Sequence, residues 1–272
     1  MINSVLELEK EFDRRITELD PVDIGAWLGY PASGFAAYSE PQQLMEALAR
    51  QQIRQALVSH KIGELMDARA GNEALERALP HMPGCGGVMT LLPPGTGEMD
   101  DTAGCVDSLL DKGFRAARIA PKLHRYSMKI PAVPEMLSTL EQRGVPLLIP
   151  IGQTSWDEIA PTASAFPRLA VVVEGTGHHE YLNIRSCLTW LTVVTNLLVV
   201  TQGLFLCGEL ELLAGEIGEH RILFSSNQPM DDPAAGLSLL AFSELPPAAR
   251  RRIARENALH LIASAGKGGY FA

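Results

Sequence analysis

Basic residues are scarce in this chain: Lys and Arg together number 23 against 32 Asp and Glu, for a net charge of −9 at pH 7. The longest basic run, Arg250-Arg251-Arg252, is too short to track a phosphate backbone, so nucleic acid is not an expected partner. Cysteine is equally sparse. Cys85, Cys105, Cys187 and Cys207 lie far apart and form no Cys-x-x-Cys pair, which leaves reduced thiols in a cytoplasmic protein as the default. No glycine-rich fingerprint follows a strand, which argues against an open dinucleotide-binding sheet, and no cofactor signature is found. No secretory signal opens the chain, because Met1 to Leu19 is acidic and helix-like. The longest apolar run, Cys187 to Leu206, is broken by Thr189, Thr192, Thr195, Asn196 and Gln202, so it predicts a short buried helix and then a buried strand, with no membrane span.

What is present is a large apolar content, 46% of 272 residues, with no low-complexity tract. One barrel-sized domain over 1–272 fits better than two small ones. A first helix at Val5 to Leu19, within a helical extension over residues 1–20, precedes a regular alternation. Strands are predicted at Val22–Gly29, Gln55–Lys61, Gly86–Leu92, Ala116–Lys122, Val145–Pro150, Leu169–Glu174, Asn196–Gln202 and Ile222–Phe224. Helices between them are predicted near Pro41–Gln51, Gly71–Leu79, Thr102–Lys112, Val133–Arg143 and Trp156–Phe166. Eight apolar strands alternating with helices predict an α/β fold, a (β/α)8 TIM barrel with an extra N-terminal helix.

The last strand and its loop, Leu223-Phe224-Ser225-Ser226-Asn227-Gln228-Pro229, together with Asn257-Ala258-Leu259-His260-Leu261 on the final helix, resemble the amidohydrolase superfamily. The resemblance is to its amidohydrolase-related branch of metal-dependent hydrolases and decarboxylases, where the strand reads Leu-Phe-Gly-Ser-Asp-x-Pro. It extends over nearly the whole chain from Asp23. Asp23-Ile24-Gly25-Ala26-Trp27 is similar to the family's Asp-x-His-x-His, Pro146 to Gly152 to its Pro-x-x-x-His-x-Gly, and Phe166 to Gly177 to its Phe-Pro…His-x-Gly segment. In each the metal ligand is exchanged: Gly25, Trp27, Pro150 and Gly175 stand at histidine positions, and Asn227 at that of the catalytic aspartate. Such side chains cannot build a zinc-type site, and an amide cannot act as a base near neutral pH. The resemblance therefore implies the fold, with no metal and no cofactor retained.

Chemistry in such barrels sits at the C-terminal ends of the strands. The polar residues expected there are His60, Lys61, Lys122, His124, Arg125, Gln153, Glu174, His178, Gln202, Ser226 and Asn227. Glu174, His124 and His178 are the candidates for acid–base work, and for each a hydrogen-bonded or solvated role is the competing reading. Lys122, Arg125 and Lys61 are candidate anion partners for a carboxylate-bearing small molecule, with His60, Gln153, Gln202, Ser226 and Asn227 completing the wall and Trp27 filling the volume of the absent ligands. Some members of the branch open lactones without a metal, so a metal-independent hydrolase is one expectation. A non-catalytic structural or regulatory paralogue is the second, a displaced metal site built from His60, Glu174, His178 and His124 is a third, and pairing into a homodimer is expected.

Overall fold

The computed structural model of the chain describes residues 5–31, 38–95, 97–175, 184–204, 206–263 and 265. Its strands are β1 (Val22–Leu28), β2 (Gln55–His60), β3 (Cys85–Thr90), β4 (Phe114–Arg118), β5 (Leu147–Pro150), β6 (Val171–Glu174), β7 (Leu197–Val200) and β8 (Ile222–Leu223). They pair in parallel and in chain order. Helix α1 (Val5–Leu19) precedes them. Between strands run α2 (Pro41–Arg50), the pair α3 (Lys61–Leu65) and α4 (Ala68–Ala78), then α5 (Thr102–Asp111), α6 (Ala132–Arg143), α7 (Trp156–Ala165), α8 (Ile184–Val193) and α9 (Glu209–Ile217). After β8 come α10 (Pro233–Phe242), α11 (Pro247–Arg251), a π-helical stretch at Arg252–Glu256 and α12 (Asn257–Ala263). This is the (β/α)8 TIM barrel, with its added N-terminal helix, that the alternation predicts.

Local chemistry sets many of the boundaries. Asp67, Asp101 and Asp232 each accept a backbone N–H of the first turn of α4, α5 and α10, which satisfies donors that a helix start leaves open. Pro41 and Pro233 occupy first-turn positions where no N–H is needed. Gly144 ends α6 in the left-handed conformation, with φ 64°. The apolar run that raises a membrane span divides into α8 and β7, and among the described residues no helix is long and apolar enough to cross a membrane.

The barrel interior is one apolar cluster to which every strand contributes, among them Leu57, Val88, Leu148, Val172 and Leu223, with Ala258, Leu261 and Ile262 of α12 in the same cluster. Helices cover the other strand faces with a second, larger cluster. Closure between β8 and β1 has its own machinery. Ile24 N–H donates to Phe224 O at 3.2 Å and Trp27 N–H to Gln228 O at 3.0 Å. The register of β1 against β2 shifts between Asp23 and Ala26, a bulge that leaves Asp23 at the seam while Ile24 joins the inner cluster. The fully buried Asp23 carboxylate accepts from Gly25 N and Ser226 N, both at 2.9 Å, from the Ser226 hydroxyl and from the Gln228 amide at 3.2 Å. Burial pushes its pKa up, and these four donors pull it back.

The other end of β8 is tied to the last helix. The π-helical stretch turns the Ile253 carbonyl to the Phe224 N–H at 3.1 Å, and Asn257 Nδ2 donates to Glu219 O and Ile222 O, both at 2.7 Å. The Asn257 of the sequence motif is therefore a fastening between helix and strand.

Candidate functional site

The mouth is built around Trp27. The first turn of α3 follows β2 without a loop, and His60 caps it by accepting Ile62 N–H on Nδ1 at 3.2 Å. That places Lys61 and Glu64 one turn apart, with Lys61 Nζ 2.6 Å from Glu64 Oε2. Helix α3 reaches this position because it crosses α4 at two glycines: a Cβ on Gly71 would lie 2.2 Å from Gly63 N. Lys61 Nζ lies 3.4 Å from the centre of the Trp27 ring, and Arg118 Cζ, from the end of β4, lies 4.2 Å from the same ring. Arg118 Nη2 donates to Glu174 Oε1 at 2.7 Å, across to the end of β6.

Two cations and two carboxylates thus close around one indole that is itself 3% exposed. Desolvation holds the Glu174 carboxyl above the usual range despite Arg118, and it holds the Lys61 ammonium below the usual lysine range despite Glu64. Among the described residues, Glu174 Oε2, Arg118 Nε and Ser59 Oγ are buried with no hydrogen-bond partner, and Ser59 stands opposite Trp27 in the β1–β2 register. Unfilled polar atoms in such a place are costly, and a bound polar molecule would satisfy them.

Trp27 Nε1 donates to Asn227 Oδ1 at 3.1 Å, and Asn227 Nδ2 donates to Asp231 Oδ2 at 2.8 Å. Gln202 Nε2 reaches the same Asp231 oxygen at 3.4 Å. Asn227 adopts the left-handed conformation, φ 54°, which asparagine tolerates better than most residues. Beside this chain a cavity of about 300 Å³ opens between Tyr38, Arg50, Gln228 and Asp231.

The remaining expected residues go elsewhere. Strand β4 ends at Arg118, earlier than its apolar pattern suggests, so Lys122 falls in the following loop and donates to Gly152 O at 2.8 Å and Thr154 O at 3.4 Å. Gln153 accepts the Leu123 N–H at 2.9 Å in the same loop-to-loop tie. Arg125 is exposed, with φ 57°. His124 Nε2 sits 3.1 Å and 3.0 Å from the Gly63 and Glu64 carbonyls, so its N–H holds the end of α3. Ser226 serves the Asp23 seam, and His178 lies outside the described residues. Glu64 and Asp231 belong to the site without having been expected in it. Their only sequence signals are spacings, three residues after Lys61 and four after Asn227.

Among the described residues, no three His, Cys, Asp or Glu side chains gather as a metal site. A Cβ on Gly25 would meet Ser225 Oγ at 2.0 Å and Ser225 Cβ at 3.2 Å, and Gly175 has φ 60°, a conformation that favours glycine.

Solved structures with the same fold include 2,6-dihydroxybenzoate decarboxylase from Rhizobium, at a TM-score of 0.69 and 17% identity over 90% of this chain and 99% of that one. Dihydroxybenzoic acid decarboxylase from Polaromonas sp. JS666, solved with bound manganese and the inhibitor 2-nitroresorcinol, gives 0.68 and 15% over 91% and 98%. The 5-carboxyvanillate decarboxylase of Sphingomonas paucimobilis gives 0.67 and 12% over 90% and 99%. The search of curated proteins gave no match. The amidohydrolase family model matches residues 16–262, from the end of α1 through nearly all of α12, and the chain therefore belongs to that family.

Proposed function

We propose that this amidohydrolase barrel works without the divalent metal of its relatives and binds a small carboxylate-bearing molecule at the C-terminal mouth, where it acts as a metal-independent hydrolase of the lactone-opening kind. The observation that carries the reading is Trp27 held between Lys61 and Arg118. At the positions where the resemblance places the metal ligands, the donor set does not fit a metal. Gly25, Trp27, Pro150 and Gly175 offer no coordinating side chain, and both ends of the Asn227 amide are already engaged.

The same cations suit an anion. Arg118 has an Nε without a partner among the described residues, so a carboxylate docking there would gain charge-assisted hydrogen bonds that Glu174 uses only in part. Substrates and inhibitors named for the structural neighbours are aromatic acids and phenols, which agrees with an aromatic floor. Glu174, with one oxygen unpartnered, is the proton carrier for such chemistry.

Intrinsic tryptophan emission tests the reading. Titration with 2,6-dihydroxybenzoate and with a simple dicarboxylate, in chelator, should shift the emission of the native protein and leave a Trp27→Phe variant unchanged. No response to any carboxylate would favour the non-catalytic paralogue, in which Trp27 and Pro150 simply fill the mouth.

A further inference from the structure

We infer that Lys61 is a carbonyl-reactive amine, and that the molecule it takes is a 2-oxo acid. The inference rests on the reading of the mouth as a carboxylate site and names the substrate class. Four observations on different elements carry it. Lys61 projects from the C-terminal end of β2 with a side chain 9% exposed, and its Nζ lies on the Trp27 face and not in water. Arg118, whose guanidinium carbon lies 4.2 Å from the centre of the same indole ring, has a buried Nε–H with no partner among the described residues, a donor that a substrate carboxylate would fill. Glu64, 2.6 Å from Nζ, can take the ammonium proton. Glu174 Oε2, buried and unpartnered, can exchange a proton with the carbonyl oxygen. An amine desolvated against an apolar surface and flanked by a second cation is the environment that makes lysine a nucleophile, and burial depresses its basicity in that sense.

The chemistry balances without a co-reactant. Glu64 takes one proton from the ammonium, and the nitrogen lone pair then forms a C–N bond to the ketone carbon. The carbonyl π pair moves to oxygen, which takes a proton from Glu174 while the nitrogen returns one. Glu64 then protonates the hydroxyl, the C–O bond breaks, and the nitrogen pair closes a protonated C=N. The net change is ammonium plus ketone to iminium plus one water.

Incubation of the native protein with pyruvate and sodium borohydride, followed by peptide mapping, tests it. The expected result is one reduced pyruvate adduct, on Lys61 and not on Lys10, Lys112, Lys122, Lys129 or Lys267. Lys61→Arg, checked by circular dichroism for its fold, should give no adduct. Glu174→Gln should slow trapping at least tenfold. Tryptophan emission is recorded in parallel. An emission response without an adduct on Lys61 would overturn the amine chemistry and leave the carboxylate site standing. Neither response nor adduct would overturn both, and labelling spread evenly over the lysines would overturn the inference.

Discussion

Two buried carboxylates on the strands of this barrel, Asp23 on β1 and Glu174 on β6, are treated in opposite ways. Asp23 has four donors and no cation, and every donor belongs to the joint between β1 and β8. Among the described residues, Glu174 has one cation, Arg118, hydrogen-bonded to one oxygen and no partner on the other. Equal burial with unequal satisfaction separates a residue that closes the fold from one that the fold leaves available. The first is a fastening, and the second is half of an interaction.

Breaking the fastening should have the largest effect. Asp23→Ala strands two backbone N–H groups, a hydroxyl and an amide in a dry seam, and should lower the unfolding free energy in urea by about 4 kcal/mol. Trp27→Ala comes next: it empties the space between Lys61 and Arg118 and should cost about 3 kcal/mol in the same assay. Glu174→Gln keeps an oxygen for Arg118 but removes the charge, and should cost about 2 kcal/mol.

The same Glu174 variant sharpens the comparison through pH. Because burial raises the pKa of Glu174 above its ordinary value of 4.5, the folded protein holds a proton that the unfolded chain has released. The stability this contributes is complete below pH 4.5 and is lost as pH rises through the folded value. Denaturation curves across that window should therefore be flatter for Glu174→Gln than for the native protein.

The smallest effect is expected at the strand end between the two carboxylates. Asn227→Asp restores the carboxylate of the family motif but sets it against Asp231, at a place where 2.8 Å now separates a donor from an acceptor. It should cost about 1 kcal/mol and should not create a tight zinc site, which equilibrium dialysis would check.

Much of this was legible in the sequence. Eight apolar runs spaced by helical periodicity fixed the barrel, since each run had to be buried on both faces. The resemblance set Gly25, Trp27, Pro150 and Gly175 at histidine positions, and the Trp27 ring has the Lys61 ammonium 3.4 Å from its centre. Other features required three dimensions. The register shift between Asp23 and Ala26 leaves Ile24 in the inner cluster and puts Ala26, two residues on, in the outer one, and no alternation pattern announces it. Lys61 reads as the last residue of a strand, whereas it opens a one-turn helix, and only that turn brings Glu64 beneath it. Lys122 reads as a strand end because Ile119, Ala120 and Pro121 extend the apolar run past the true end of β4, so the cation at the site is Arg118 instead.

The central claim is that organic cations stand where relatives hold a metal, and metal content of the purified protein tests it most directly. After dialysis against metal-free buffer, and again after loading with zinc and with manganese, mass spectrometry should find far less than one ion per chain. A stoichiometric ion that survives dialysis would contradict the account, because it would require ligands that the cluster of Trp27, Lys61, Arg118 and Glu174 does not offer.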